Sequence, residues 1–148
     1  MIQIDFRNEQ RTLAIDESRL REAVELVLRR SGVEQAEISL AIVDDPAIHE
    51  LNRRYLNHDE PTDVLSFVLE AGEDSLEGEI IVSADTAAAA APRFGWSAED
   101  ELLLYVIHGA LHLVGYDDLN AAARSEMRGQ ERACLAHFGL TPHYAEDA

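Results

Sequence analysis

The chain contains no lysine: all 12 of its basic residues are arginine, set against 29 acidic ones, for a formal net charge of -17. Nucleic-acid affinity comes largely from phosphate neutralisation, so this balance argues against tight, unaided binding to a polyanion. A Lys-free, Ala- and Arg-rich composition reflects genomic base bias or, alternatively, an acidic halophile-like surface. Only one cysteine, Cys134, is present, which excludes an intrachain disulfide. It lies within a helical pattern and reads as a small buried hydrophobe. No apolar run is long enough to cross a bilayer, and the first ten residues, MIQIDFRNEQ, lack the basic-then-apolar pattern of a signal peptide. No membrane association is expected, and a cytoplasmic location is. Repeats and long linkers are also lacking, so the 148 residues read as one domain, 1–148, with a real core.

What is present is a run of alternating short strands and helices. Residues 2–6 alternate as a strand, and 11–15 are expected to pair with it. Asp16 or Ser18 caps a helix over about 18–31, with Gly32 at its end. A strand over 37–43 is followed by a helix opened by Asp44-Asp45-Pro46 and running to about Tyr55. Strands over 64–69 and 78–83 flank the turn AGEDS. Asp85-Thr86 and the alanine run 87–91 predict a short helix capped by Asp85 and stopped near Pro92. Ser97 then caps a helix over 98–114 that is apolar almost all round and so belongs in the middle of the domain. A last helix spans about 120–138, and the tail TPHYAEDA reads as polar and frayed. The fold class expected is α+β: a small mixed sheet packed with helices, one of them central and buried.

That central helix carries the most informative stretch, His108-Gly-Ala-Leu-His112-Leu-Val-Gly115-Tyr-Asp-Asp118. Residues i and i+4 share a helix face, so both histidines can aim at one ion. Gly115 can take a left-handed conformation that turns the chain back toward the site, where Asp118 offers a third ligand. Asp117 could instead orient a histidine from behind. Two imidazoles and a carboxylate, with a fourth position open, are the donor set of a catalytic Zn2+ site holding one ion. The alternative is a pair of core histidines. The offsets match the zinc-protease pattern H-E-x-x-H-x-x-G-x-x-H/D except that position 109 is Gly. The glutamate missing there is the general base of those proteases, so peptide hydrolysis is disfavoured.

Three stretches together resemble the YbeY family, bacterial endoribonucleases of ribosomal RNA maturation. These are Leu51-Asn52 with Pro61-Thr-Asp-Val-Leu-Ser-Phe67, then Gly78-Glu-Ile-Ile-Val-Ser83, then His108 to Asp118. The resemblance implies metal-assisted cleavage of single-stranded RNA, with the metal ligands His108, His112 and Asp118 also forming the catalytic set. It implies rRNA as substrate, ribosomal partners, small-subunit rRNA 3′-end maturation, and no action on DNA. Two positions depart from the family pattern. Asp118 replaces its third histidine, which zinc tolerates, and Leu56 stands where the family tends to have an arginine with a role in activity. Arg53 and Arg54 are the residues expected to contact RNA instead.

No general base is assigned. His58 and Asp63 are candidates, against an exposed loop role for His58 and a loop-fixing role for Asp63. Ser66 and Ser83 read as structural. Arg124, Arg128 and Arg132 form one stripe on the last helix, read as a solvated face partly paired with Glu126 and Glu131. Two other functions stay in view: a small metalloprotease, and a non-catalytic ribosome assembly factor with a structural metal.

Overall fold

Four strands hydrogen-bond in the order β1-β2-β4-β3, in a computed structural model that describes residues 1–58, 60 and 62–144. Among the described residues the elements are β1 (Ile2–Asn8), α1 (Glu17–Arg30), β2 (Gln35–Val43), α2 (Asp45–Leu56), β3 (Val64–Ala71), β4 (Ser75–Ser83), α3 (Ala84–Phe94), α4 (Ala98–Leu113) and α5 (Ala121–Ala136). β1 and β4 each run parallel to β2, while β3 returns antiparallel along β4. The sheet is therefore mixed and the class α+β, as the sequence pattern predicts.

Period-two alternation divides the core. Ile38, Leu40 and Ile42 of β2, with Ile80 and Val82 of β4, face a large cluster shared with α1, α3, α4 and α5. Ala41, Val43 and Ile81 face the other way, where Ile48 of α2 covers them. α4 packs against β3, β4, α1, α3 and α5, which is why it is apolar on nearly every side. It lies close against the sheet at Gly109, where an added Cβ would lie 2.7 Å from Ile80 Cγ2 and 3.1 Å from Val64 Cγ2.

Several boundaries differ from expectation for identifiable reasons. Residues 11–15 form no strand. The Gln10 amide takes both backbone groups of Leu13 at 2.8 and 2.9 Å, and β1 pairs with β2 instead. Leu13 and Ile15 alternate because they pack on the core from a loop. α3 continues through Pro92 and ends at Gly95, whose φ is +76°. Its cap is Ser83, not Asp85: Ser83 Oγ accepts the Thr86 N–H. Asp85 instead accepts from Thr12 Oγ1 and the Asp45 N–H, both of which hold its pKa below the usual carboxylate value. Asp16 caps α1 and Ser97 caps α4. The tail is docked as far as Tyr144, with Pro142 buried. Pro61, within one of the family-like stretches, and residues 145–148 of the tail lie outside the described residues. No helix is long and apolar enough to cross a membrane among the described residues.

Candidate metal centre

α4 presents His108 and His112 one turn apart, their rings edge to face with centroids 4.6 Å apart. The helix ends at Leu113. The Tyr116 N–H bonds back to the Leu111 carbonyl at 3.0 Å, and Gly115 adopts φ +105°, which L side chains rarely adopt. This reversal returns Asp118 to the histidines. The two Nε2 atoms are 3.0 Å apart, and Asp118 Oδ2 is 3.8 Å from His108 Nε2. One ligand atom from each of the three residues lies within 4.8 Å of the others, so the three could hold a metal. Asp117 is not part of that group and accepts the Leu119 N–H.

The residue behind His108 is Glu131 of α5, whose Oε2 is 2.7 Å from His108 Nδ1. Its other oxygen accepts the Tyr144 hydroxyl. Glu131 is only 3% exposed, so both oxygens need these partners. With Nδ1–H donated to Glu131, Nε2 is left as the lone-pair nitrogen facing His112 and Asp118. Burial opposes charge on His108, but the hydrogen bond and charge of Glu131, with the charges of Asp63 and Asp118, outweigh it and raise its pKa. His112 shifts down, through burial and the neighbouring His108. Two imidazoles in one site titrate apart in this way because they cannot both be charged cheaply.

A cavity of about 400 Å³ opens beside this triad. Its wall includes Asp63, Glu101, Tyr105, His108, Asp118 and Glu131, and also Arg124 and Arg128. Glu101 lies 4% exposed on the same α4 face as Tyr105 and His108, and accepts the Trp96 indole N–H at 2.7 Å. Burial raises its pKa against the lowering effect of the Trp96 and Tyr105 hydrogen bonds.

The other expected site residues are spread more widely. Asp63 lines the cavity and also fixes its loop, Oδ1 accepting the Val64 N–H at 2.8 Å. His58 is exposed and is not among the cavity's lining residues. Arg53 and Arg54 are exposed on α2, pair with Glu50, and do not line the cavity. Ser83 donates its hydroxyl to Asp45 at 2.5 Å, a structural role. The arginine stripe of α5 is more than a solvated face: Arg128 and Arg132 sit against the Tyr144 ring at 4.6 and 5.1 Å. The sequence places Glu131 among the partners of the arginine stripe, but it is buried and bonded to His108 and Tyr144; Tyr144 and Glu101 are not singled out as site residues by the sequence. For Glu131 the signal was its place in the buried stripe of Met127, Cys134 and Leu135, where a carboxylate demands a partner.

The family profile described as Endoribonuclease YbeY matches residues 5–139. A curated relative of that name from Desulfitobacterium hafniense (strain Y51) is 47% identical over 117 residues, 72% of this chain and 74% of the relative. Another, from Moorella thermoacetica (strain ATCC 39073 / JCM 9320), is 40% identical over 154 aligned positions, 94% of this chain and 99% of the relative. The solution structure of TM1509 from Thermotoga maritima superposes with a TM-score of 0.61 at 27% identity, covering 94% of this chain and 92% of that one.

Proposed function

The chain belongs to the endoribonuclease YbeY family, and from that premise we propose that it is a zinc-dependent, single-strand-specific endoribonuclease. Its field of action is small-subunit rRNA 3′-end maturation and ribosome quality control, in the cytoplasm and with ribosomal partners. The observation that carries this reading is the convergence of His108, His112 and Asp118 beside an open cavity.

Two imidazole nitrogens and one carboxylate oxygen are a donor set suited to Zn2+. When bound, zinc polarises a phosphoryl oxygen and makes water acidic enough to ionise near neutral pH. The chain's own residues set the frame for this. Glu131 holds the proton on His108 Nδ1 and so aims Nε2 inward. His112 contributes the second nitrogen, and Asp118 an anionic third ligand in place of the family's histidine. A carboxylate there leaves the centre less positive than three imidazoles would. Position 109 supports a nuclease over a protease reading, since the helix backbone lies against Ile80 and Val64 where the protease base would stand.

The test is incubation of purified, zinc-loaded protein with single-stranded RNA containing the small-subunit rRNA 3′ region. Wild type is expected to cleave it, while a folded His112→Ala variant and chelator-treated protein do not. A protein that holds zinc yet cleaves neither free RNA nor RNA on ribosomes is an assembly factor instead.

A further inference from the structure

The cavity beside the triad has two unlike ends. At one, Asp118 and Glu131 stand with His108. At the other, α3 contributes Ala90 and Phe94, and α4 contributes Glu101, Leu104 and Tyr105. Residues at these offsets share one helix face, so both helices turn a stripe to the same opening. α4 then runs on to His108, and the seven residues from Glu101 span about 10 Å of helix. Apolar side chains gain by leaving water, yet Phe94 packs into neither hydrophobic cluster among the described residues. Ala90, Phe94 and Leu104 are all half-buried, and all three line the cavity. The Arg93 guanidinium lies 5.7 Å from the centre of the Phe94 ring but does not line the cavity. The buried polar side chain at this end offers acceptors. Glu101 takes the Trp96 indole N–H at 2.7 Å and the hydrogen of the Tyr105 hydroxyl, and a carboxylate has lone pairs for a further donor.

We infer that this end of the cavity is a nucleobase pocket: one unstacked base of the RNA lies against Ala90, Phe94 and Leu104 with its N–H edge toward Glu101, while the phosphate beside it stands at His108, His112 and Asp118. The inference rests on the nuclease reading for its substrate. A space of about 400 Å³, with apolar walls and a few polar groups, falls in the range of about 300–1,000 Å³ that small flat ligands occupy. Every base has a face that stacks on an aromatic or apolar side chain. A base is also neutral, so the acidic wall that opposes phosphate does not oppose it. In a duplex the same base is stacked and paired, and it would have to be extruded before it could enter. The pocket thereby supplies a physical cause for a preference for single strands.

The test uses zinc-loaded full-length protein and a set of single strands containing the small-subunit rRNA 3′ region, identical except for one abasic ribonucleotide moved along the sequence. Cleavage kinetics are read on each strand, and 2′-O-methyl copies, which resist cleavage, report binding by fluorescence anisotropy. An abasic residue at one position beside the cut bond is expected to raise KM roughly tenfold, with little effect elsewhere in the strand. Ala90→Leu keeps a good helix former on α3 and fills the pocket. It should raise KM on the intact strand by a similar factor and leave KM on the strand abasic at that position unchanged, since both changes remove the same contact. Phe94→Leu, which removes the aromatic face with little loss of bulk, shifts KM in the same direction by less. Zinc content and the urea midpoint establish that both variants are folded. Ala89→Leu, the same change at the exposed neighbouring position, leaves KM unaltered. The inference is overturned if no abasic position matters, if folded A90L and F94L act as wild type does, or if their penalty persists on the abasic strand. In each of these cases cleavage by wild type leaves the nuclease reading standing. Base-dependent binding without cleavage keeps the pocket and removes the nuclease reading. Failure of the wild type to bind any strand removes the pocket.

Discussion

His108 Nδ1 meets Glu131 Oε2 at 2.7 Å across 23 residues of sequence, joining the helix that carries the candidate metal ligands to the helix that closes the domain. A carboxylate in this position fixes the tautomer and the ring orientation of a ligand histidine and raises its basicity. Glu131→Gln keeps an acceptor for the Nδ1–H but removes the charge. We expect it to fold normally and to hold zinc about 10-fold more weakly, with Glu131→Ala nearer to 100-fold. Competition titration against a chromogenic chelator measures this, and equal affinity in E131Q and wild type would show that the pair is only structural.

Gly109 marks a tight contact between α4 and the sheet. A methyl group there meets Ile80 Cγ2 at 2.7 Å, closer than real Cβ contacts, and both neighbours sit on the rigid β3–β4 ladder. Gly109→Ala is therefore expected to destabilise the fold by about 1–3 kcal/mol through overpacking, despite the helix propensity gained. Gly109→Glu should cost more and confer no peptidase activity, since its carboxylate would enter the sheet contact. Urea denaturation of both variants, with a peptidase assay of the second, checks this; a G109A variant more stable than wild type would mean that the sheet yields.

Much of this architecture is written in local pattern. The caps at Asp16 and Ser97, the all-round apolar α4 and the two-residue alternation of β2 identify their elements without tertiary information. The triad is legible for the same reason, because His108, His112, Gly115 and Asp118 are bound together by helix pitch and one turn. What the sequence hides is contact between distant segments. Glu131 reaches His108, and Tyr144 reaches Glu131, only through tertiary packing, and Arg124 and Arg128 of α5 become cavity residues in the same way. The mistaken strand at 11–15 shows the converse. Leu13 and Ile15 alternate in burial as a strand would, but Gln10 satisfies the backbone locally and no ladder forms.

Glu101 gives the fold a pH dependence whose sign follows from burial. Its pKa lies above the ordinary 4.5, chiefly because burial penalises the carboxylate. The folded state thus prefers the protonated form and binds more protons than the unfolded state between the two pKa values. The stability contributed by Glu101 is full below about 4.5 and is lost as pH rises through the raised folded-state value. Glu101→Gln retains an acceptor for the Trp96 indole and cannot ionise. The stability difference between E101Q and wild type should therefore shift in favour of the variant as pH rises from 4.5 to 8, as read by urea denaturation across that range. A difference independent of pH would mean that Glu101 stays ionised throughout.

Removal of the metal separates a catalytic from a structural centre. The large core cluster is assembled from Leu103, Ile107 and Leu111 of α4 with the sheet, α1, α3 and α5, and none of these contacts needs an ion. Structural zinc sites, by contrast, usually have four protein ligands and supply the folding energy themselves, whereas three side chains converge here among the described residues. Chelator-treated protein is therefore expected to keep its far-UV circular dichroism and a cooperative thermal transition. Zinc at about 100 times its Kd should stabilise the native state by about 2.7 kcal/mol through binding alone, which for a chain of this size raises Tm by about 5–10 °C. His112→Ala should show the lower Tm whether or not zinc is added, because the increment comes from ligation. If the chelated protein instead loses its helical signal, the ion holds the fold together, and the assembly-factor function becomes the better account of this chain.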